Sequence, residues 1–404
     1  MEIYEKLPQY VLTVMDTLQA AGHKGYLVGG SLRDLLRGVT PHDYDLTTDA
    51  TPEEMLEIFA EFRVIPTGLK HGTLTVMSEG QPIEVTTHRI DGDYVDARHP
   101  QSVSFTRSLA GDLSRRDFTV NAMAWNPQTG LVDLFGGQED LQNGVLRAVG
   151  DAKERFSEDA LRILRAFRFS AQLCFKIDPD TLQGAADASG GLAKISVERI
   201  FTELCRLLAS PDAEKGLAAL IGTGCWKYVF FDTVIGVNAP NFANLPPDAA
   251  LRLAAMLPHL EKEQALTLCR RWHAPNAFGE ALAAYLCAAR EPLPATPYEA
   301  RCFVARYWHH WQGALELRAA RGEDVLTAAE LCRKVSRDGS TVEIRRLAVN
   351  GRELQVELGV RPERTGVLLQ RLQDLVWRES EPNKKAALLS AARNICEKER
   401  DFCE

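Results

Sequence analysis

Apolar positions along the first 140 residues repeat at two periods. Short runs of alternating character, Gly72–Met77, Pro82–Thr87 and Val103–Thr106, predict strands, and Tyr26-Leu27-Val28 reads as a buried strand. Between them, Leu7–Ala20, Ser31–Arg37 and Pro52–Phe59 carry apolar residues at helical spacing. The pattern predicts an α/β or α+β head built around a modest sheet, taken here as α+β with a small mixed sheet. From about residue 153 the period changes: Leu161, Leu164, Phe167 and Ala171 share a helical face, and helical patterns dominate the rest of the chain. Alanine-rich stretches at Ala249–Leu257 and Ala281–Ala289 read as packed helices, and the Pro/Asn-rich segment 238–247 as a connection. No internal repeat or low-complexity tract is evident.

Composition narrows the class. The chain has 404 residues, 45% hydrophobic and 25% charged, as expected of a globular protein of several domains. A net charge of −8 argues against indiscriminate nucleic-acid binding, so any RNA contact must be focused on a local basic surface. No apolar run reaches the roughly 18–20 residues that span a bilayer. The opening Met-Glu-Ile-Tyr-Glu-Lys has neither a signal core nor a transit-peptide character, so a cytoplasmic location is expected. Nine cysteines, none before Cys174 and none in a Cys-x-x-Cys pair, are expected to be reduced thiols.

Candidate chemistry begins where Tyr26-Leu27-Val28 meets Gly29-Gly30-Ser31. The glycines let backbone approach a ligand, Ser31 is expected to cap the helix it opens, and helix N-terminal amides attract phosphate. Arg33 follows with a planar fork suited to phosphate oxygens. Asp34 is expected to partner an arginine or a backbone amide. Asp43 and Asp45 flank Tyr44; on a strand both would face one way, and such a pair calls for a cation, Mg²⁺ by its hard oxygen ligands. Read alone, Asp-x-Asp is also a common turn or edge-strand pattern.

Two further arginine-rich segments follow. In Arg115-Arg116-Asp117, an arginine beside a nucleotide site can neutralise phosphate and an aspartate can accept from ribose hydroxyls. At 157–168, Ser157 reads as a helix N-cap. Asp159 and Glu158 stand three and four residues before Arg162, and Arg162, Arg165 and Arg168 form a slowly winding stripe. That stripe suits RNA, a triphosphate or solvent alone. Near the C-terminus Arg345, Arg346, Arg352, Arg361, Arg364, Arg371 and Arg378 outnumber nearby acids, which a solvated helix face explains as well as RNA contact does. Trp226, Trp272, Trp308, Trp311 and Trp377 read as packing residues, and His71 as a loop histidine.

The ordered set GGSLRD (29–34), DYDLTT (43–48), EVTTHR (84–89), DGDYVDARHP (91–100), RRDFTVNAMA (115–124), VDLFGGQEDL (132–141), EDALRILRAFRF (158–169) and ISVERI (195–200) resembles the bacterial class II tRNA nucleotidyltransferases, the CCA-adding enzymes. Weaker similarity reaches Leu347–Gly351. The resemblance implies a nucleotidyltransferase head (1–142), a helical neck that recognises the base (143–207), a helical body (208–330) and a helical, tRNA-binding tail (331–404). It implies Mg²⁺ at Asp43 and Asp45. Nucleotide contacts fall at Gly30, Arg33, Arg116, Asp159, Arg162, Arg165 and Arg168, and ribose recognition at Asp117. Glu84 is a candidate third carboxylate, and Asp93–Asp112 matches a mobile loop linked to the change from C to A addition.

The implied activity is template-independent addition of CCA to a tRNA 3′ end from CTP and ATP. The 3′-hydroxyl attacks the α-phosphate in line between two metals and pyrophosphate leaves. Cytosine and adenine each offer an amine donor beside a ring-nitrogen acceptor. Asp159 can accept from the first and Arg162 can donate to the second, while guanine and uracil would leave buried partners unmet at about 1–3 kcal/mol each. The rival readings are a poly(A) polymerase, an enzyme adding only CC or only A, an HD-type phosphohydrolase suggested by His42-Asp43, and a catalytically silent RNA-binding protein.

Overall fold

A computed structural model describes residues 2–91, 103–231, 242, 244–337, 343–379 and 382–399. Half of the loop expected at 93–112, residues 93–102, therefore lies outside the described residues, as does half of the segment 238–247. The chain divides into two compact units, Met1–Pro240 with Arg271–Ala274, and Asn241–Arg270 with Pro275–Glu404.

The first unit is built on β1 (Gly25–Val28), β2 (Asp45–Thr48), β3 (Arg63–Gly68), β4 (Thr73–Ser78) and β5 (Gln81–Thr87). A small hairpin follows, β6 (Arg89–Asp91) with β7 (Val103–Phe105), and then β8 (Met123–Asn126) and β9 (Gly130–Asp133). Seven of these form one sheet in the order β3-β4-β5-β2-β1-β8-β9. Within this sheet only β2 and β5 pair in parallel, so the sheet is mixed, as expected of the α+β head. Alternation places Ile83 and Val85 in the core while Glu84 faces solvent. One face of the sheet buries Leu27, Leu46, Leu74, Val76 and Val85 against the helix Gln9–Ala20, with Met55 and Phe59 from a neighbouring helix. Filling such positions contributes about 1.5–3 kcal/mol per large side chain. β1 is buried on both faces, because Tyr26 and Val28 pack with Leu113 and Ala124 on the other.

The helices Ala152–Glu158, Leu161–Leu173, Pro179–Asp187, Val197–Leu208, Ala213–Gly222 and Trp226–Phe230 follow. Leu161–Leu173 is buried on nearly every side, packed by Val197–Leu208 and Ala213–Gly222. Gly216 permits the second crossing: a Cβ there would lie 2.6 Å from the Phe167 carbonyl oxygen. A two-stranded parallel pairing of Val145–Leu146 with Lys176–Ile177 was not foreseen, being too short to show a period. Trp272 is fully buried, donating from Nε1 to the Val229 carbonyl at 2.7 Å.

The second unit is helical. Its elements include Ala249–Met256, Asn276–Ala288, Pro297–Arg306, Trp311–Ala320, Leu326–Arg337, Gly351–Leu358, Pro362–Trp377 and Lys385–Lys398. Capping boxes open two of them, Thr296 with Glu299 and Asn350 with Glu353. A C-terminal core of Leu354, Leu368, Leu372 and Leu388 joins the last three helices. Trp311 is buried as expected, but Trp308 is exposed, because it lies in the turn between two helices rather than on a packed face. Among the described residues no helix is long and apolar enough to cross a membrane.

Candidate active site

At the end of β1 the chain turns through Gly29, whose φ of 69° is left-handed, into the helix Gly29–Leu36. A Cβ at Gly29 would sit 3.5 Å from Arg116 Nη1 and 3.8 Å from Asp45 Oδ2, so glycine keeps this wall thin. Ser31 does not cap the helix. The helix starts two residues earlier than predicted, which puts Ser31 in its first turn, where its hydroxyl donates to the Val28 carbonyl at 2.8 Å. No side chain caps this helix, and its first-turn amides remain suited to an anion. Arg33 is buried. It donates to both Asp34 oxygens, at 2.9 and 3.0 Å, and to Asn121 Oδ1 at 2.8 Å, so Asp34 is the arginine partner expected.

Asp45 is the first residue of β2, whereas Asp43 lies before the strand, so the two acids do not share a strand face as the spacing suggested. They remain electrostatically joined. Burial first, then the charges of Asp43 and Glu84, push the Asp45 carboxyl up to about 6, against a smaller opposing pull from Arg116. Glu84 reaches this neighbourhood because β2 and β5 pair in register, Asp45 opposite Glu84. Carboxylates that repel one another and offer only oxygen donors fit a hard divalent cation. Among the described residues no group of three His, Cys, Asp or Glu side chains is already gathered for a metal. The protein thus offers a carboxylate pair, leaving other positions to substrate oxygens and water, which is the usual habit of Mg²⁺.

Behind the acids stands Asp112, fully buried, accepting from Arg115 at 2.7 Å and Arg116 at 3.0 Å. Burial alone would raise its pKa, but the two guanidiniums outweigh it and hold the carboxyl down at about 2. Asp117 is buried too. Its Oδ1 accepts from the Phe118 amide and Asn121, and its Oδ2 from Arg165 at 2.9 and 2.6 Å. Those donors hold its pKa below the ordinary carboxylate value despite burial.

The arginine stripe is carried by the helix Leu161–Leu173, and its start differs from expectation. Ser157 lies inside the preceding helix, donating to the Lys153 carbonyl at 2.7 Å, because Asp151 already caps that helix. The chain breaks at Asp159 instead, and Asp159 Oδ1 accepts from the Leu161 amide at 3.0 Å. The break also gives the Asp159 and Arg162 side chains different partners, although the Arg162 amide still donates to the Asp159 carbonyl at 3.0 Å. Arg162 pairs with Glu158 at 2.5 Å and donates to the Arg155 and Arg115 carbonyls, while Asp159 pairs with Arg199 at 3.2 Å. Arg168 forms a buried pair with Glu203 at 2.5 Å.

All ten residues singled out from the sequence, Gly30, Arg33, Asp43, Asp45, Arg116, Asp117, Asp159, Arg162, Arg165 and Arg168, line one open cleft of about 690 Å³. Glu84 and His71 do not line it, and His42 does. Seven arginines and five aspartates face the cleft, an excess of cations suited to a triphosphate. Sequence reasoning missed Asp112, Phe169 and Arg199. The i,i+3 and i,i+4 spacing of Asp112 to Arg115 and Arg116 is the one signal that could have found the first.

A mixed sheet with a glycine turn and an acid pair beside a cationic cleft defines a nucleotidyltransferase. A family model described as the Poly A polymerase head domain matches residues 25–147, and one described as a probable RNA and SrmB-binding site of polymerase A matches residues 174–233. Over nearly the whole chain the similarity is to CCA-adding enzymes. The enzyme of Levilactobacillus brevis is 36% identical over 401 residues, covering 94% of this chain and 96% of that one. That of Ligilactobacillus salivarius is 32% identical over 418 residues, covering 98% and 99%. The crystal structure of the Bacillus stearothermophilus CCA-adding enzyme in complex with CTP superposes with a TM-score of 0.77 at 31% identity, covering 97% of this chain and 98% of that one. The chain belongs to the CCA-adding enzyme family.

Proposed function

We propose that this protein adds C, C and A in turn to the 3′ end of tRNA, taking CTP and ATP without a nucleic-acid template, in the cytoplasm. One observation carries the reading: the acid pair Asp43 and Asp45, a cationic wall and the Asp159/Arg162 edge converge in one cleft. In this reading 1–142 is the catalytic head, 143–207 the base-reading neck, and 208–330 and 331–404 the body and tail that contact tRNA.

Asp43 and Asp45 would hold Mg²⁺. Bound there, the ion supplies Lewis-acid activation of the attacking hydroxyl and of the phosphate oxygens. The protein's own groups do the rest. Arg33 and Arg116 bind phosphate oxygens, with Gly29 and Gly30 allowing close approach. Arg33 is pre-aimed by Asp34 and Asn121, and Arg116 by Asp112, so little order is lost on binding. Asp159 accepts from the exocyclic amine shared by cytosine and adenine, and Arg162 donates to the neighbouring ring nitrogen. Asp159 pairs with Arg199 and Arg162 with Glu158, which restrains both side chains. Uracil and guanine reverse that order of donor and acceptor and are rejected by unmet partners.

The test uses tRNAs ending before CCA, after C and after CC, with CTP and ATP supplied singly and together. Stepwise growth to CCA is expected. Long A tails would replace the reading by poly(A) polymerase, arrest after CC or growth by A alone by a partial activity, and no extension by a silent RNA binder.

A further inference from the structure

The cleft is walled by charge, yet one of its lining residues is a phenylalanine. Phe169 is 7% exposed, and three guanidiniums gather on its ring. The central carbon of Arg168 lies 3.9 Å from the ring centroid, that of Arg165 5.2 Å and that of Arg33 5.5 Å. Two come from the same helix as Phe169, and the third from the helix after β1. Each is also held by a carboxylate: Glu203 for Arg168, Asp117 for Arg165 and Asp34 for Arg33. Three like charges so close repel one another, and the negative face of an aromatic ring offsets that repulsion where an aliphatic side chain cannot. The ring also makes an edge-to-face contact with Phe118 at 5.7 Å, so the test must separate packing from the gathering of the arginines.

We propose that Phe169 is a positioning residue for nucleotide binding, its ring gathering Arg33, Arg165 and Arg168 into one array that receives the triphosphate. The inference rests on the nucleotidyl-transfer reading above.

Steady-state tRNA extension compares the wild type with Phe169→Met, Phe169→Leu and Phe169→Tyr, each checked for cooperative thermal unfolding; the two aliphatic variants run in parallel so that one misfolded protein does not remove the test. Loss of the ring is expected to raise KM for CTP and ATP alike by about tenfold, with kcat within about threefold of wild type. Phe169→Tyr keeps the ring and stays within about twofold. Binding of inorganic tripolyphosphate, read by calorimetry, weakens by the same factor as KM rises. The inference is overturned if a folded aliphatic variant keeps the wild-type KM, if the tyrosine variant falls as far as the aliphatic ones, or if the loss is confined to kcat. Wild-type protein that extends no tRNA overturns the nucleotidyl-transfer reading instead, and tripolyphosphate binding then still decides whether the ring holds the array.

Discussion

Arginine pairs at the cleft and on the C-terminal helices serve different ends, although the second unit also buries Arg252, Arg301 and Arg318. In the first unit, Arg168 and Glu203 are 7% and 5% exposed and Arg33 is buried between Asp34 and Asn121. In the second, Arg378 and Asp374 are 52% and 41% exposed, and Arg371 and Glu399 are 43% and 49% exposed. Distance does not separate the classes, since Arg371 approaches Glu399 at 2.6 Å, about as closely as Arg168 approaches Glu203. Solvent does. A buried pair cannot exchange its partner for water, so it fixes direction; an exposed pair trades one hydration shell for another and fixes little. The first unit therefore presents an aimed array of cations, and the C-terminal helices present a charged surface.

The comparison breaks or sharpens at four places. The largest effect falls on the acids that the aimed arginines surround. Asp45→Asn is expected to lower nucleotide addition by about 10³-fold or more while leaving the fold intact. Because the Asp45 carboxyl is pushed up by burial and by Asp43 and Glu84, the amide also raises the melting temperature measured without divalent ions. A folded variant with near-normal turnover would remove the metal role.

Next is Glu203→Gln, which leaves Arg168 buried without its charge partner and is expected to cost about 3–5 kcal/mol in chemical denaturation. A cost below that of an ordinary surface change would show that the buried pair does no positioning.

The third is a pH effect. The Asp112 carboxyl is held at about 2 in the folded chain and returns to the ordinary carboxylate value when unfolded. Its folded pKa is depressed, so its stabilisation is fully present above about pH 4 and is lost as pH falls toward 2, by about 2 kcal/mol in all. Asp112→Asn should flatten that part of the stability profile; an unchanged acid limb would refute the assignment. The smallest effect is Glu399→Gln, expected to shift the melting temperature by no more than about 1 °C. A shift as large as that of Glu203→Gln would erase the distinction between the two classes of pair.

Much of the fold was legible because periods are local. The strand at 82–87 announced itself by alternation, and the helix carrying Arg162, Arg165 and Arg168 by its apolar face. The ten cleft-lining residues were legible because they sit in short motifs beside glycine turns and helix starts. What was misread was choice among near-equal local options. Ser157 and Asp159 are both good caps, and Asp159 and Glu158 both stand in reach of Arg162. A single backbone break at Asp159 decided these questions. Trp308 was misplaced for a related reason: aromatic character predicts packing only where an element face exists to pack against.

The amino-acid order by itself determined the sheet and helix periods, the acid pair, the glycine turn and the supply of arginines, since each is set by neighbours within a few residues. Only the folded chain decided who holds whom. Arg33 meets Asn121, Arg165 meets Asp117, Arg168 meets Glu203, Asp159 meets Arg199 and Asp45 stands opposite Glu84, all across long stretches of chain. Such partners are selected by strand register, by helix crossings as close as the one Gly216 permits, and by the exclusion of water, none of which is written in any one segment.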